Sequence, residues 1–585
     1  MPSILALGAM LFLSVALPVA AQPPAVEIDE QNQLDELQDT SDAGEMKTLA
    51  VVAGARYDEL ISDITFLGTA AGKPEIGQMI EGGIAFFTQG KGLEAIDKTR
   101  PWGVIVQTDG AQLLPVGCLP VKRLSDLLDV AAGYGIDVKE AEDGIRELAQ
   151  PNKRSVFVKE DDGWAFIGPS PATLARLPEN PQATLEELVS DYDLGLRFSI
   201  KQVPEAWRQV AIQWMQLGMQ QGLQAQSGGN DERGDMREAM AEAQLEQMKR
   251  LMEEVESFTL GWAIDADGGR TYLDLVIQAV PGSRTAQEIA AYAQARTNFA
   301  GFYQPDAAAT MVFAVQSDPE RVQQDLEQME AMYQSLLQQF DKAIDENENI
   351  PADMRDEYKA VARDWYEAFI ATLKTGRMDG AATLDLDAES LTFVAGAFVK
   401  DTESFERGLK KLDAAARESQ HSPGIEWNAA SHAGVNFHTL SVPVPEEQEA
   451  PRKLLGEAAN IAFGIGPEAV YLAGGRDYLD ALRRAIDASA AEQEKEVPPF
   501  EIVISLQPIV ETLAAQAEEG PQKDVAESIA EILGNEAAGG DHLRVVAEVI
   551  PHGVRYRYEA EEGAIKALGQ VIAEQQRQAQ QQANQ

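Results

Sequence analysis

Residues Gly261–Ala290, GWAIDADGGRTYLDLVIQAVPGSRTAQEIA, decide how the rest of the chain reads. Two strand-like runs flank Asp267-Gly268-Gly269, and Pro281-Gly282-Ser283 then leads into helical spacing. The same strand, turn, strand and helix return at Ala381–Leu412 (AATLDLDAESLTFVAGAFVKDTESFERGLKKL) and at His542–Leu568 (HLRVVAEVIPHGVRYRYEAEEGAIKAL). A looser copy spans Trp102–Ala132, where Asp109-Gly110 between apolar runs is the signal of a type I′ hairpin turn. Recurrence at this length constrains a fold more than local propensity does.

Each copy is preceded by an apolar strand and helical stretches. The upstream strands are Leu49–Ala53 and those opening at Leu194, Thr310 and Phe500. The last three run into Gln and then Pro: Gln202 with Pro204, Gln316 with Pro319, Gln507 with Pro508. Proline fits the first turn of a helix, where an N–H is not needed. The unit is therefore β-α-α-β-β-α. A further hairpin with a short helix, Ser155–Leu177, lies between two units and has a counterpart ending at Ala469–Ile486. The expected fold is α+β and internally duplicated, with halves over 47–297 and 307–577. In Val554, Tyr556 and Tyr558 against Arg555, Arg557 and Glu559, apolar and polar positions alternate. That predicts antiparallel sheets with one buried and one wet face, and helices packed on one face.

With 585 residues, 45% hydrophobic and 24% charged, the chain is globular and too long for one ordinary core. Its 95 acidic against 48 basic residues give a net charge of −47, which argues against nucleic acid and against anionic membrane surfaces as partners. The apolar run SILALGAMLFLSVALPVAA at 3–21 ends in small residues, so residues 1–21 read as a signal peptide cleaved before Gln22. An uncleaved anchor is the alternative, since the run is at the short limit of a span. No integral membrane segment is expected after signal removal, and the location expected is periplasmic or extracellular. Residues 22–46 are an acidic leader without periodicity, expected to be disordered like the Gln-rich tail at 578–585.

Chemistry is sought and mostly not found. Cys118 is the single cysteine, so no intramolecular disulfide can form, and its strand context predicts a buried, inert thiol. Gly168-Pro169-Ser170-Pro171-Ala172 suits a helix entry better than a nucleophile elbow. Gly90-Lys91-Gly92 lacks the remainder of a phosphate-binding loop, and Gly464–Ala469 spells a dinucleotide fingerprint but leads into a strand. No catalytic, cofactor-binding or metal residue is assigned, and no cofactor is implied. His432 and His438 would share one strand face but lie roughly 20 Å apart at about 3.3 Å per residue. The pairs Asp265/Asp267 and Asp385/Asp387 could bind Ca²⁺ or act as acid and base, but Asp before a tight turn also serves the turn itself. The turn reading is preferred.

Residues 204–256 read as a helical hairpin broken at Ser227-Gly228-Gly229-Asn230. It carries Trp207, Trp214, Met215, Met219, Met236, Met240, Met248 and Met252. Helix packing accounts for such a stripe, and a deformable surface for a lipid or partner helix is the sharper reading.

Trp102–Gly110 (WGVIVQTDG), Lys159–Ile167 (KEDDGWAFI) and Asp191–Leu194 (DYDL) resemble uncharacterised exported bacterial proteins of similar length, mainly over the first half. That resemblance implies export and carries no activity or catalytic residue. The function expected is a non-catalytic binding or scaffold protein for an unknown protein, peptide or lipid ligand. A groove between the halves and the Met/Trp hairpin are its candidate surfaces. The alternatives are a hydrolase using carboxylates from both halves and a Ca²⁺-dependent adhesion protein.

Overall fold

The computed structural model describes residues 45–583, apart from 89–92, 150–154, 348–351, 419–422, 536–539 and parts of 211–248 and 319–339. The chain is a mixed α+β protein in two compact units. The first comprises Met1–Leu60, Ile84–Gln209 and Ser257–Gly261, and the second Ile61–Gly83, Val210–Glu256 and Trp262–Gln585. Residues 61–83, 210–256 and 262–297, assigned above to the first half, thus fall in the second unit.

The first unit holds β1 (Lys47–Gly54), β2 (Trp102–Thr108), β3 (Leu113–Pro120), β4 (Asp137–Glu140), β5 (Ile145–Ala149), β6 (Val156–Asp161), β7 (Trp164–Gly168) and β8 (Leu194–Ser199). They pair in the order β8–β1–β2–β3–β7–β6–β5–β4, every pair antiparallel. One face buries Val51, Ala53, Ile105, Val116, Cys118 and Phe166 beneath Leu174, Leu185 and Leu188 of the short helices Pro171–Leu174 and Pro181–Val189. The other face buries Val158 and Ala165 beneath Leu124 and Leu128 of the helix Leu124–Gly133. Helices therefore pack on both faces of this sheet rather than on one. The reason is local: Cys118 and Leu119 are adjacent and both apolar, and they pair with Phe166 and Ala165 on opposite faces.

The two hairpins turn differently. Thr108 pairs with Leu113, so the Asp109-Gly110 loop holds four residues and is not a two-residue type I′ turn. Asp109 instead accepts the N–H groups of Ala111 and Gln112, both at 3.0 Å. The two-residue turn is at Asp162-Gly163, where φ is 46° and 73° between paired Asp161 and Trp164.

β9 (Val255–Asp265) divides between the units. The second unit continues with β10 (Arg270–Ala279), β11 (Arg296–Thr297), β12 (Ala309–Gln316), β13 (Arg377–Leu386), β14 (Leu391–Phe398), β15 (Glu426–His432), β16 (Val435–Pro443), β17 (Ala458–Ile465) and β18 (Ala469–Gly475). β19 (Lys495–Glu496), β20 (Phe500–Ser505), β21 (His542–Ile550) and β22 (Gly553–Glu561) complete it. The antiparallel order is β10–β22–β21–β20–β12–β13–β14–β18–β17–β16–β15. β1–β2–β3–β7–β6 in the first unit and β12–β13–β14–β18–β17 in the second follow one scheme: strand, hairpin, then a second hairpin entered at its far strand.

The second core lies where Phe302, Val312, Val394, Phe437 and Ala473 meet Leu482 and Ile486 of the helix Tyr478–Ala491. The opposite face carries Trp427 and His438 against the helix Thr402–Glu418, whose Asp413 accepts from Trp427 Nε1 at 2.9 Å and from Ile425 N at 2.7 Å. The last helix runs from Glu562 to Ala583, so residues 578–583, expected to be disordered, are helical. Gln, Ala and Glu are good helix formers, and low complexity did not outweigh that.

Candidate functional site: an open apolar sheet face

Strands β8, β1 and β2 each place an apolar residue at alternate positions on the face away from the Pro181–Val189 helix. The registers arrange these as three rows: Leu194, Gly54 and Trp102; Leu196, Val52 and Val104; Phe198, Ala50 and Val106. Six of the nine, Leu194, Leu196, Phe198, Val52, Trp102 and Val104, are between 36% and 43% exposed. The residues between them on β1 and β2, Val51, Ala53 and Ile105, are 6% exposed or less, so those two strands are apolar on both faces and covered on one. Trp102 lies flat over Gly54, where a Cβ would stand 2.4 Å from the indole. Large apolar side chains left open side by side in a folded protein mark a surface that something else covers.

The Arg555/Arg557/Glu559 side of β22 is not simply wet. Asp274, fully buried, receives both Arg557 Nε and Nη2 at 2.8 Å, and the guanidinium lies 3.7 Å from the centre of the Tyr272 ring. Arg270 reaches Asp265 at 2.9 Å and Glu559 at 3.4 Å, Arg544 reaches Glu501 at 2.6 Å, and Arg555 pairs with Glu548. Burial, and after it the hydrogen bond that Tyr303 donates to Glu501, push the Tyr303 phenol up. Asp274, Asp265, Glu559, Glu501 and Glu548 thus each have an arginine partner, which is why a polar face tolerates cover.

The acids singled out from sequence serve their turns. Asp265 accepts from Gly268 N at 2.8 Å and from Arg270, and both hold its carboxyl below the ordinary value. Ser390 and the Glu389 N–H do the same for Asp387. Asp385 is raised by the protein packed around it, although its residue keeps much of its surface in solvent; Arg484 pulls the other way. Among carboxyls with a resolved shift it alone is raised. No three His, Cys, Asp or Glu side chains converge on a metal position among the described residues.

The turn at Ala433-Gly434 puts His432 and His438 on different strands. His432 sits opposite Val435 and contacts Asp487 at 2.7 Å, whereas His438 is buried beside Trp427 on the other face. Cys118 is 2% exposed, and burial pushes its thiol up to about 12. Ser170 accepts from Thr173 N at 3.3 Å as a helix cap. A cleft of about 300 Å³ between the Leu124–Gly133 helix and residues Thr88, Leu93, Glu94, Ala95 and Ile96 carries Glu94, Asp126 and Asp129 on its wall. Most of the Met/Trp segment lies outside the described residues.

No family model, no curated protein and no solved structure matches this chain. Sequence reading missed the open face. Its signal was present in Trp102–Val106 and Leu49–Ala53, which are apolar at consecutive positions and so need cover on both sides.

Proposed function

We propose that this is an exported, non-catalytic binding or scaffold protein of the cell envelope or extracellular space, built from an internal duplication. It works through the open face of β8, β1 and β2. The exposure of Leu194, Leu196, Phe198, Val52, Trp102 and Val104 on adjacent strands carries the reading. The repeated pairing scheme supports the duplication, and the 3–21 run supports export. The pairing of the acids supports a non-catalytic role. For a carboxylate hydrolase, Asp385 has a raised value, but its residue is exposed and its neighbour Asp387 is engaged by Glu389 N and Ser390 in its turn, so that reading is the weaker one.

The test uses Nile red, a neutral apolar dye, with the purified full chain. Its fluorescence should rise on binding, and Leu196→Glu should abolish that rise while the far-ultraviolet circular dichroism stays unchanged. Dye binding that ignores both Leu196→Glu and Val104→Glu would place the apolar surface elsewhere and end this reading. Turnover of an ester or glycoside by the purified protein would replace it with the hydrolase.

A further inference from the structure

We propose that His438 is a pH latch: its neutral ring pins a bulge of β15 onto β16, and its protonation lets that bulge go. Strand β15 pairs with β16 at Glu426, opposite Thr439, and again from Ala430, opposite Phe437. Between those pairs β15 takes four steps where β16 takes two, so the chain bulges. In the bulge Asn428 has φ 57°, a left-handed backbone that costs any residue with a Cβ. Its N–H donates to His438 Nδ1 at 3.0 Å, so an imidazole takes the place of the missing ladder bond.

The neutral ring carries its proton on Nε2, so protonation adds a donor at Nδ1, facing the Asn428 N–H. His438 is 1% exposed, and its Nε2 has no hydrogen-bond partner among the described residues. The imidazolium would thus be a buried cation without an acceptor at either nitrogen, which is costly. From the helix Thr402–Glu418, Glu406 favours the cation and Lys410, bridged to Glu406 at 2.7 Å, opposes it. Asp413 of that helix is engaged by Ile425, Trp427 and Arg417. Lys410 lies 5.4 Å from the centre of the Trp427 ring and the His438 ring 4.6 Å from it, so protonation sets a second cation against that ring. Across the ladder β17 offers the uncharged Phe463, and Glu426 of β15 shares the opposite face with Thr439.

What opens is small. Asp413 keeps hold of Ile425 N and Trp427 Nε1 on one side of the bulge, and Ala430, Ser431 and His432 keep their pairing on the other. Release frees Asn428 to take an ordinary φ and brings the ring into water, where it titrates near its usual 6.5. Burial keeps the closed ring below that value. The latch is therefore shut above about pH 6.5 and yields as the pH falls toward the closed value.

Hydrogen exchange of the full chain, read by mass spectrometry at pH 7 and pH 5 and corrected for intrinsic exchange, tests the latch. Peptides covering the bulge should lose about fivefold more protection than peptides of β17 on going to pH 5. His438→Asn keeps an acceptor for the Asn428 N–H and does not titrate, so it should abolish that difference. Two milder changes on the helix keep the test alive if His438→Asn fails to fold. Lys410→Gln removes the opposing cation and should lessen the loss by about twofold, whereas Glu406→Gln removes the favouring carboxylate and should deepen it by about as much. Equal losses from the bulge and from β17 would mean that the sheet loosens as a whole, and would overturn the latch. So would a loss that persists in His438→Asn, or two helix changes that act in the same direction.

Discussion

Trp102 can lie across β1 only because residue 54 has no side chain, since a Cβ there would come within 2.4 Å of the ring. Gly54→Ala should displace the indole, cost about 1–3 kcal/mol and lower the urea midpoint without changing the slope. An unchanged midpoint would mean that the ring moves freely. His438 poses a different constraint. It is 1% exposed, and its Nδ1 accepts the Asn428 N–H at 3.0 Å, so the neutral ring must carry its proton on Nε2. Burial lowers its value below 6.5; Glu406 raises it and Lys410 lowers it to a smaller degree. A protonated ring would point a second donor at Asn428. Because the folded value is depressed, the stabilisation is complete above the unfolded value of about 6.5 and is lost as the pH falls toward the folded value. The wild type should therefore lose more thermal stability between pH 7 and pH 5 than His438→Gln does. Parallel pH profiles would show that His438 does not titrate differently on unfolding.

Strands β10 and β22 are joined by nine register pairs, and the Asp274–Arg557 ion pair lies in the middle of them. Breaking it from one side should be worse than removing it. Arg557→Met takes the bidentate partner from a fully buried carboxylate, with Arg555 still 4.0 Å away, and should cost about 3–5 kcal/mol, whereas Asp274→Leu/Arg557→Met should recover most of that loss. A double variant as unstable as the single one would show that the pair is needed for more than mutual neutralisation. The hairpins show how far local signals reach at this scale. Asp109-Gly110 and Asp162-Gly163 share a dipeptide, and only the second makes the two-residue turn. The first needs two more residues because cross-strand pairing starts at Thr108 and Leu113, a distance that the dipeptide does not encode. The helix expected at the end of Ala381–Leu412 is present and runs six residues further, as Thr402–Glu418. That its Asp413 would reach across to Ile425 and Trp427 was not visible, because the partners are joined only by the folded chain.

At the scale of the whole molecule, 95 acidic against 48 basic residues repel one another in the compact state. Raising NaCl from about 10 mM to about 0.5 M shortens the Debye length from about 30 Å to a few ångströms. The melting temperature should rise by several degrees over that range, and a fall would mean that the ion pairs outweigh the self-repulsion. The sequence by itself determined the α+β class, most hairpins and the single buried thiol. Each of these follows from periodicity, turn residues or count, which are properties of neighbours along the chain. It also showed that Asp265 and Asp387 belong to turns, because Asx hydrogen bonds are local. Only the tertiary structure decided which apolar faces are covered. Leu119 and Leu196 look alike as strand residues, yet one lies in the layer beneath the Leu124–Gly133 helix and the other stays open. It likewise decided that Arg557 is half-hidden against Asp274, a residue 283 positions away. Cover and pairing depend on what the folded chain brings across from a distance, and no periodicity along a strand records that.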